Sequence, residues 1–176
     1  SISTVSGSTT ATDLNGFLNE KLTVGTAVNG TGSYPYDSFT ANGNTGFTVT
    51  NDGTAMALFP YKSAIGDVVI VNFDISITGG TPSPGIATRS LTSSVTSKSN
   101  STVVDSTGNH SITMTCTADG THIGFSDGNT GSYTISNFKI VSHTHSAFVH
   151  TWYDQAGSNN AVQTTAANQP KIASSG

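Results

Sequence analysis

Between residues 67 and 78 the chain alternates strictly. Val69, Val71, Phe73, Ile75 and Ile77 fall on one side, and Val68, Ile70, Asn72, Asp74, Ser76 and Thr78 on the other. A period of two belongs to a half-buried strand with one face in a core and the other mostly in water. The run 110–117 repeats it, setting Ile112, Met114 and Cys116 against Thr113, Thr115 and Thr117, so Cys116 reads as a small buried hydrophobe. Further strands are predicted over 46–51, 55–59, 86–91, 121–126, 133–141 and 147–153, separated by clusters of Gly, Asn, Asp and Ser. Within 133–141 the apolar parity changes, from Tyr133 and Ile135 to Phe138 and Ile140, which predicts a bulge or bend near Ser136 and Asn137 that lets one strand serve two sheets. Asp127-Gly128-Asn129-Thr130-Gly131 carries the signal of a hairpin turn.

A helical period occurs once. Leu14, Phe17, Leu18 and Leu22 stand at i, i+3, i+4 and i+8, with Thr12 or Asp13 placed to cap the first turn. Gly16 costs such a helix about 1 kcal/mol, so its apolar face needs a partner surface in its own domain. Residues 28–44, rich in Gly, Asn and Tyr, read as loop or linker, and 92–101 as an exposed loop or edge. Many short strands, turn-rich spacers and at most one short helix give an all-β chain, an antiparallel jelly-roll β-sandwich over 37–142. An N-terminal attachment arm precedes it over 1–36, and a linker with the start of a further module follows over 143–176.

Composition narrows the function classes. Ser, Thr, Asn and Gly supply 87 of the 176 residues, and only 9% are charged, far below the roughly 25% of an average soluble protein. Six Lys plus Arg stand against ten Asp plus Glu, and Arg89 is the single arginine, so nucleic acid is not an expected partner. One cysteine makes no internal disulfide, and no stretch approaches the roughly 18 apolar residues of a membrane-inserting span. Residues 1–12 lack the basic and apolar regions of a secretory leader, and 172–176 stop without a closing element, as in a chain that continues.

Two segments carry family resemblances. The run 66–74, Gly-Asp-Val-Val-Ile-Val-Asn-Phe-Asp, followed by Ile123-Gly124-Phe125-Ser126 and by 133–140, Tyr-Thr-Ile-Ser-Asn-Phe-Lys-Ile, resembles the jelly-roll carbohydrate-binding modules. The run 149–163, Val-His-Thr-Trp-Tyr-Asp-Gln-Ala-Gly-Ser-Asn-Asn-Ala-Val-Gln, with Asn168-Gln169-Pro170-Lys171-Ile172 after it, resembles the Trp-Tyr-Asp-Gln signature that opens laminin-G-like, concanavalin-like lectin modules. That signature recurs in bacteriophage tail and fibre proteins and in some arabinofuranosidases. Ala156 stands where the signature has Ser, and Ser158 where it has Gly. The second resemblance spans about 30 residues, too few to bury a core of their own. It implies turn-shaping roles for Asp154, Asn159 and Asn160. Polar, Ser/Thr/Asn/Gly-rich β modules without disulfides resemble phage fibre, tail and head-decoration proteins.

Candidate chemistry is sparse. Asp67 and Asp74 lie on a polar strand face, but nothing in the sequence pairs them as glycoside hydrolysis requires. No nucleophile elbow, zinc-protease helix or phosphate-cradling loop occurs, and no catalytic residue and no cofactor are assigned. His143 and His145 project from one strand face with His150 beyond, a spacing that suits an ion; a solvated linker explains it more simply, and no metal is assigned. Sugar binding by a β-sandwich uses aromatic rings with amides and carboxylates, which makes Tyr34, Tyr36 and Tyr153 the candidate glycan-binding residues. Trp152, the single tryptophan, reads as core.

The expectation is a non-enzymatic bacteriophage virion protein, located in the virion. Its arm attaches to other virion proteins of capsid or tail, it assembles as a homotrimer, and it adheres to host-surface glycans through many weak contacts. Two rival readings are a carbohydrate-binding module of a secreted polysaccharide-degrading enzyme and a purely structural capsid-stabilising protein. Light scattering with intact mass spectrometry on the purified native protein separates the first two. The virion reading expects a trimer or particle-bound chain, whereas an 18.0 kDa monomer leaves a free-standing binding module.

Overall fold

In the computed structural model, residues 22–31, 34–51, 53–90, 96–148, 151–152, 161–162 and 171–175 are described. The expected helix lies outside them except for Leu22, an exposed turn residue, and so do 92–95 of the expected 92–101 loop. Contacts divide the chain into one unit, Lys21–His143, and a second made of Ser1–Glu20 with Thr144–Gly176.

Period-two segments become strands throughout the first unit. In chain order they are β1 (Val28–Asn29), β2 (Ser38–Ala41), β3 (Phe47–Asn51), β4 (Ala55–Ser63), β5 (Val68–Gly80), β6 (Gly85–Arg89), β7 (Thr102–Val103), β8 (Gly108–Thr115), β9 (Gly120–Asp127) and β10 (Gly131–Phe148). One sheet has the order β1-β4-β9-β6-β7 and the other β2-β3-β10-β5-β8, with antiparallel pairing. Without the short edge strands β1 and β2, the eight strands β3 to β10 take the orders 1-8-3-6 and 2-7-4-5, the two interlocked Greek keys of a jelly roll. β10 runs on past His143 and pairs β13 (Lys171–Ser175); β11 (Thr151–Trp152) pairs β12 (Ala161–Val162).

The two inward faces meet over aromatic rings. Phe59 and Phe125 come from the first sheet and Phe47, Phe73 and Phe138 from the second, all of them buried. Phe59 stacks on Phe138 at 4.2 Å between centroids, and Phe73 meets Phe125 edge-on at 5.0 Å. Val69, Val71, Ile75 and Met114 complete this core from the alternating positions of β5 and β8. Cys116 is buried in it, as its parity predicts.

Two expectations are revised, for 28–44 and 127–131, and a third, the exposed loop or edge over 92–101, is made specific. The 28–44 segment is not a plain linker: it supplies β1 and β2, and Asn29 Oδ1 accepts from Tyr36 N at 2.9 Å and Gly30 N at 3.0 Å to fix its path. The part of the 92–101 loop that is described lies along the sandwich. Ser97 and Ser99 bridge to Arg89 and Cys116, and Asn100 both receives from Thr115 N and donates to Thr113 O. A side chain thus occupies backbone groups of β8 that would otherwise form an open edge. The 127–131 turn exists, with Asp127 Oδ1 accepting from Asn129 N at 3.0 Å, but β9 and β10 enter opposite sheets and form no hairpin. The turn carries the chain across the sandwich.

The parity change in β10 is a bulge. Tyr133 and Ile135 face inward, Ser136 and Asn137 are both exposed, and Phe138 and Ile140 face inward again. Asn137 holds a left-handed φ of 53°. Before the slip β10 pairs β3 from Gly131↔Asn51 to Ile135↔Phe47; after it, Phe138 N donates to Thr45 O at 2.9 Å. The strand stays beside β3 and β5 and does not cross to the other sheet.

Replacing Asn137 by Val puts a β-branched residue at positive φ and is expected to cost about 1–2 kcal/mol. Asn137→Gly should lose less than the valine variant, since glycine adopts that φ freely and gives up only the exposed amide bond to Asp74 and some unfolded-chain entropy. Urea unfolding of the two variants checks this; equal losses would contradict a backbone role for position 137.

Candidate functional site

On β10 Ser132, Thr134 and Ser136 face outward before the slip, and Asn137 and Lys139 after it. On β5 the outward parity carries Asn72 and Asp74. On β8 Asn109 stands directly across from Asp74. With Thr45 from the turn before β3 and the edge of Phe138, these residues line an open groove of about 460 Å³.

Asp74 is its centre. Asn109 Nδ2 donates to Oδ1 at 3.0 Å and Asn137 Nδ2 donates to Oδ2 at 2.6 Å. Each oxygen keeps a further lone pair, so the carboxylate is oriented by its neighbours without being saturated. The amide of Asn137, then that of Asn109, holds the Asp74 carboxyl below its ordinary 3.8, with His110 adding a smaller effect. Asn72 Oδ1 is a buried acceptor with no hydrogen-bond partner among the described residues. Lys139 makes no ion pair among them and brings a cation to the lining. The groove thus offers carboxylate and amide acceptors beside amide and ammonium donors, the mixture that pairs with groups acting as both, such as vicinal hydroxyls. Asp74 is the one carboxylate in this lining.

The sequence candidates fare differently. Tyr36, expected on a sugar-binding surface, is buried: its hydroxyl meets that of Tyr133, and their rings cross edge to face at 6.0 Å. Burial pushes both phenols up, away from ionisation. Tyr36 is therefore an anchor, which removes it from any ligand surface. Tyr34 is half-buried and does not line the groove. Tyr153, Asp154, Asn159 and Asn160 lie outside the described residues.

Asp67 does not share the face of Asp74. It precedes β5 with its side chain buried, accepting from Ala64 N at 2.8 Å and from His143 Nε2 at 2.8 Å. An ionised carboxylate only accepts, so Nε2 donates to Asp67, and Nδ1 is hydrogen-bonded to the Tyr61 hydroxyl. Burial, reinforced by Asp67, pushes the Tyr61 phenol up and keeps it protonated. The Tyr61–His143–Asp67 chain has the form of a catalytic relay, but all three side chains are closed off in the core. Its work is to fasten β10 to β4 and to the β4–β5 turn. Both ring nitrogens of His143 are used in this way, so the ring is not presented to an ion beside His145.

Asn72, Asn109, Asn137, Lys139 and Thr45 were not singled out from the sequence. Asn72 and Asp74 were legible as outward neighbours on one strand. What joins them to Asn109 and Asn137 is strand order, which no local pattern carries. Comparison with protein-family models, with curated proteins and with solved structures returns no match.

Asp74 should titrate below 3.8 by carbon-detected NMR. A depressed carboxylate contributes its stabilising bonds above the ordinary carboxyl range, and they are lost as pH falls through the depressed value. Asn137→Gly, which keeps the backbone and deletes the amide, should bring the titration back up. An unchanged titration in that variant would contradict the amide as the main cause.

Proposed function

We propose that this chain is a non-enzymatic glycan-binding β-sandwich of a bacteriophage virion, serving adhesion to host-surface glycans. The observation that carries the recognition half is the Asp74 groove, in which a carboxylate is pre-oriented by two amides and flanked by Asn72 and Lys139. Fixed donors and acceptors lose little entropy when a polyhydroxylated ligand replaces water, which is how a polar groove gains affinity. No side chain of its lining is an exposed aromatic ring, so each contact is weak, and adhesion depends on several copies engaging one surface. The virion half is supported by the Ser/Thr/Asn/Gly-rich composition and by the likeness of residues 149–172 to the lectin signature found in phage fibre and tail proteins.

A glycan array probed with the full chain and with Asp74→Ala tests the reading. Binding to neutral glycans is expected, with an affinity loss of about tenfold or more in the variant, since removing one partner strands the other polar groups of the groove. A blank array, or undiminished binding by Asp74→Ala, would overturn recognition through this groove.

A further inference from the structure

The outward face of the sheet continues beyond the groove. Ser132 and Thr134 of β10, on the near side of the bulge, stand across from Thr50 and Thr48 of β3; these in turn stand across from Ser38 and Thr40 of β2. Two ranks of three hydroxyls result: Ser38, Thr50, Ser132 and Thr40, Thr48, Thr134. All six side chains are exposed or half-buried, and none is charged. Thr48 Oγ1 lies 3.0 Å from Thr134 Oγ1, and Thr50 Oγ1 3.2 Å from Ser132 Oγ. A bonded pair of hydroxyls uses one of its two protons, so each pair keeps one proton to donate and lone pairs to accept. Mutual bonding and the branched threonine Cβ hold these groups in place before any ligand arrives.

We infer that the groove and the hydroxyl ranks are one extended site for a linear neutral oligosaccharide, one sugar resting against Asp74 and the following sugars lying over Thr134, Thr48 and their neighbours. This rests on the glycan reading above and specifies its ligand. Three features support it. β10 contributes to both parts, Asn137 and Lys139 to the groove and Ser132 and Thr134 to the ranks, so the two surfaces are continuous. β5 and β3 flank β10, which places the Asp74 and Thr48 strands about 10 Å apart, more than a single sugar ring spans. The ranks carry no cation to meet a carboxylate on every sugar, and short side chains keep the surface level, which favours an uncharged chain over a polyuronic acid.

Isothermal titration with cello-, manno- and xylo-oligosaccharides of one to six units, and with oligogalacturonides as the acidic comparison, tests this. In whichever neutral series binds, affinity is expected to climb about tenfold from two units to four, the gain of about one further net hydrogen-bonded contact. The double variant Thr48→Val with Thr134→Val keeps the branched shape and deletes one hydroxyl pair. It should match the native chain on the disaccharide and lose about tenfold on the hexasaccharide. Affinity that is flat with length, a double variant equal to the native chain at every length, or tighter binding of the oligogalacturonides would overturn the extended site and leave the groove reading intact. Absence of binding in every neutral series would overturn both.

Discussion

Phe138 reaches the core because β10 slips by one residue at Asn137, and the stack of Phe138 on Phe59 is the contact through which that slip closes the sandwich. Without it, the parity set by Tyr133 and Ile135 would carry Lys139 inward and Phe138 into water. A buried phenylalanine is worth about 3–5 kcal/mol against alanine, whereas a left-handed non-glycine residue costs about 1–2, so the core wins. Asparagine lowers that cost further, as its short polar side chain tolerates this conformation. The same slip turns Asn137 and Lys139 outward together, so the groove is a by-product of how the core is filled.

Around that apolar centre the chain uses buried polar contacts as fasteners, in keeping with a sequence that has few charges and no disulfide. Tyr36 and Tyr133 join hydroxyls beneath the segment that Asn29 pins, and Tyr61, His143 and Asp67 tie β10 to β4 and the turn before β5. Each satisfies groups that would cost about 1–3 kcal/mol if left unmade in the interior. Arg89 is buried as well, donating from Nη2 to Gly85 O at 3.0 Å, so the single arginine of the chain serves the fold and not a ligand surface.

With those charges withdrawn into the interior, hydroxyls and amides predominate among the polar groups on the outer face of the β2-β3-β10-β5-β8 sheet, around the two charged groups Asp74 and Lys139. Such a face has little long-range field and depends on short-range matching of donors and acceptors. That favours polyhydroxylated ligands met in many copies over the fast capture of charged partners.

How far the sequence reached follows from the range of each interaction. Alternation in 67–78 and 110–117 placed β5 and β8 and the burial of Cys116, because side-chain direction in a strand is a property of neighbouring residues. The parity change located the bulge to within a residue for the same reason. What the sequence left open is set by pairing between distant segments. Tyr36 became an anchor once Tyr133 lay above it, and the 127–131 turn joined two sheets because β9 and β10 have different neighbours; the inward position of Asp67 follows from its sharing the parity of Val69, and only its partner His143 was set by the tertiary structure. Asp74 was visible as an outward carboxylate on its strand. Only the strand order β10-β5-β8 brought Asn137 and Asn109 to its two oxygens, since residues some 35 and 63 positions away along the chain meet it through sheet topology and not through any local period.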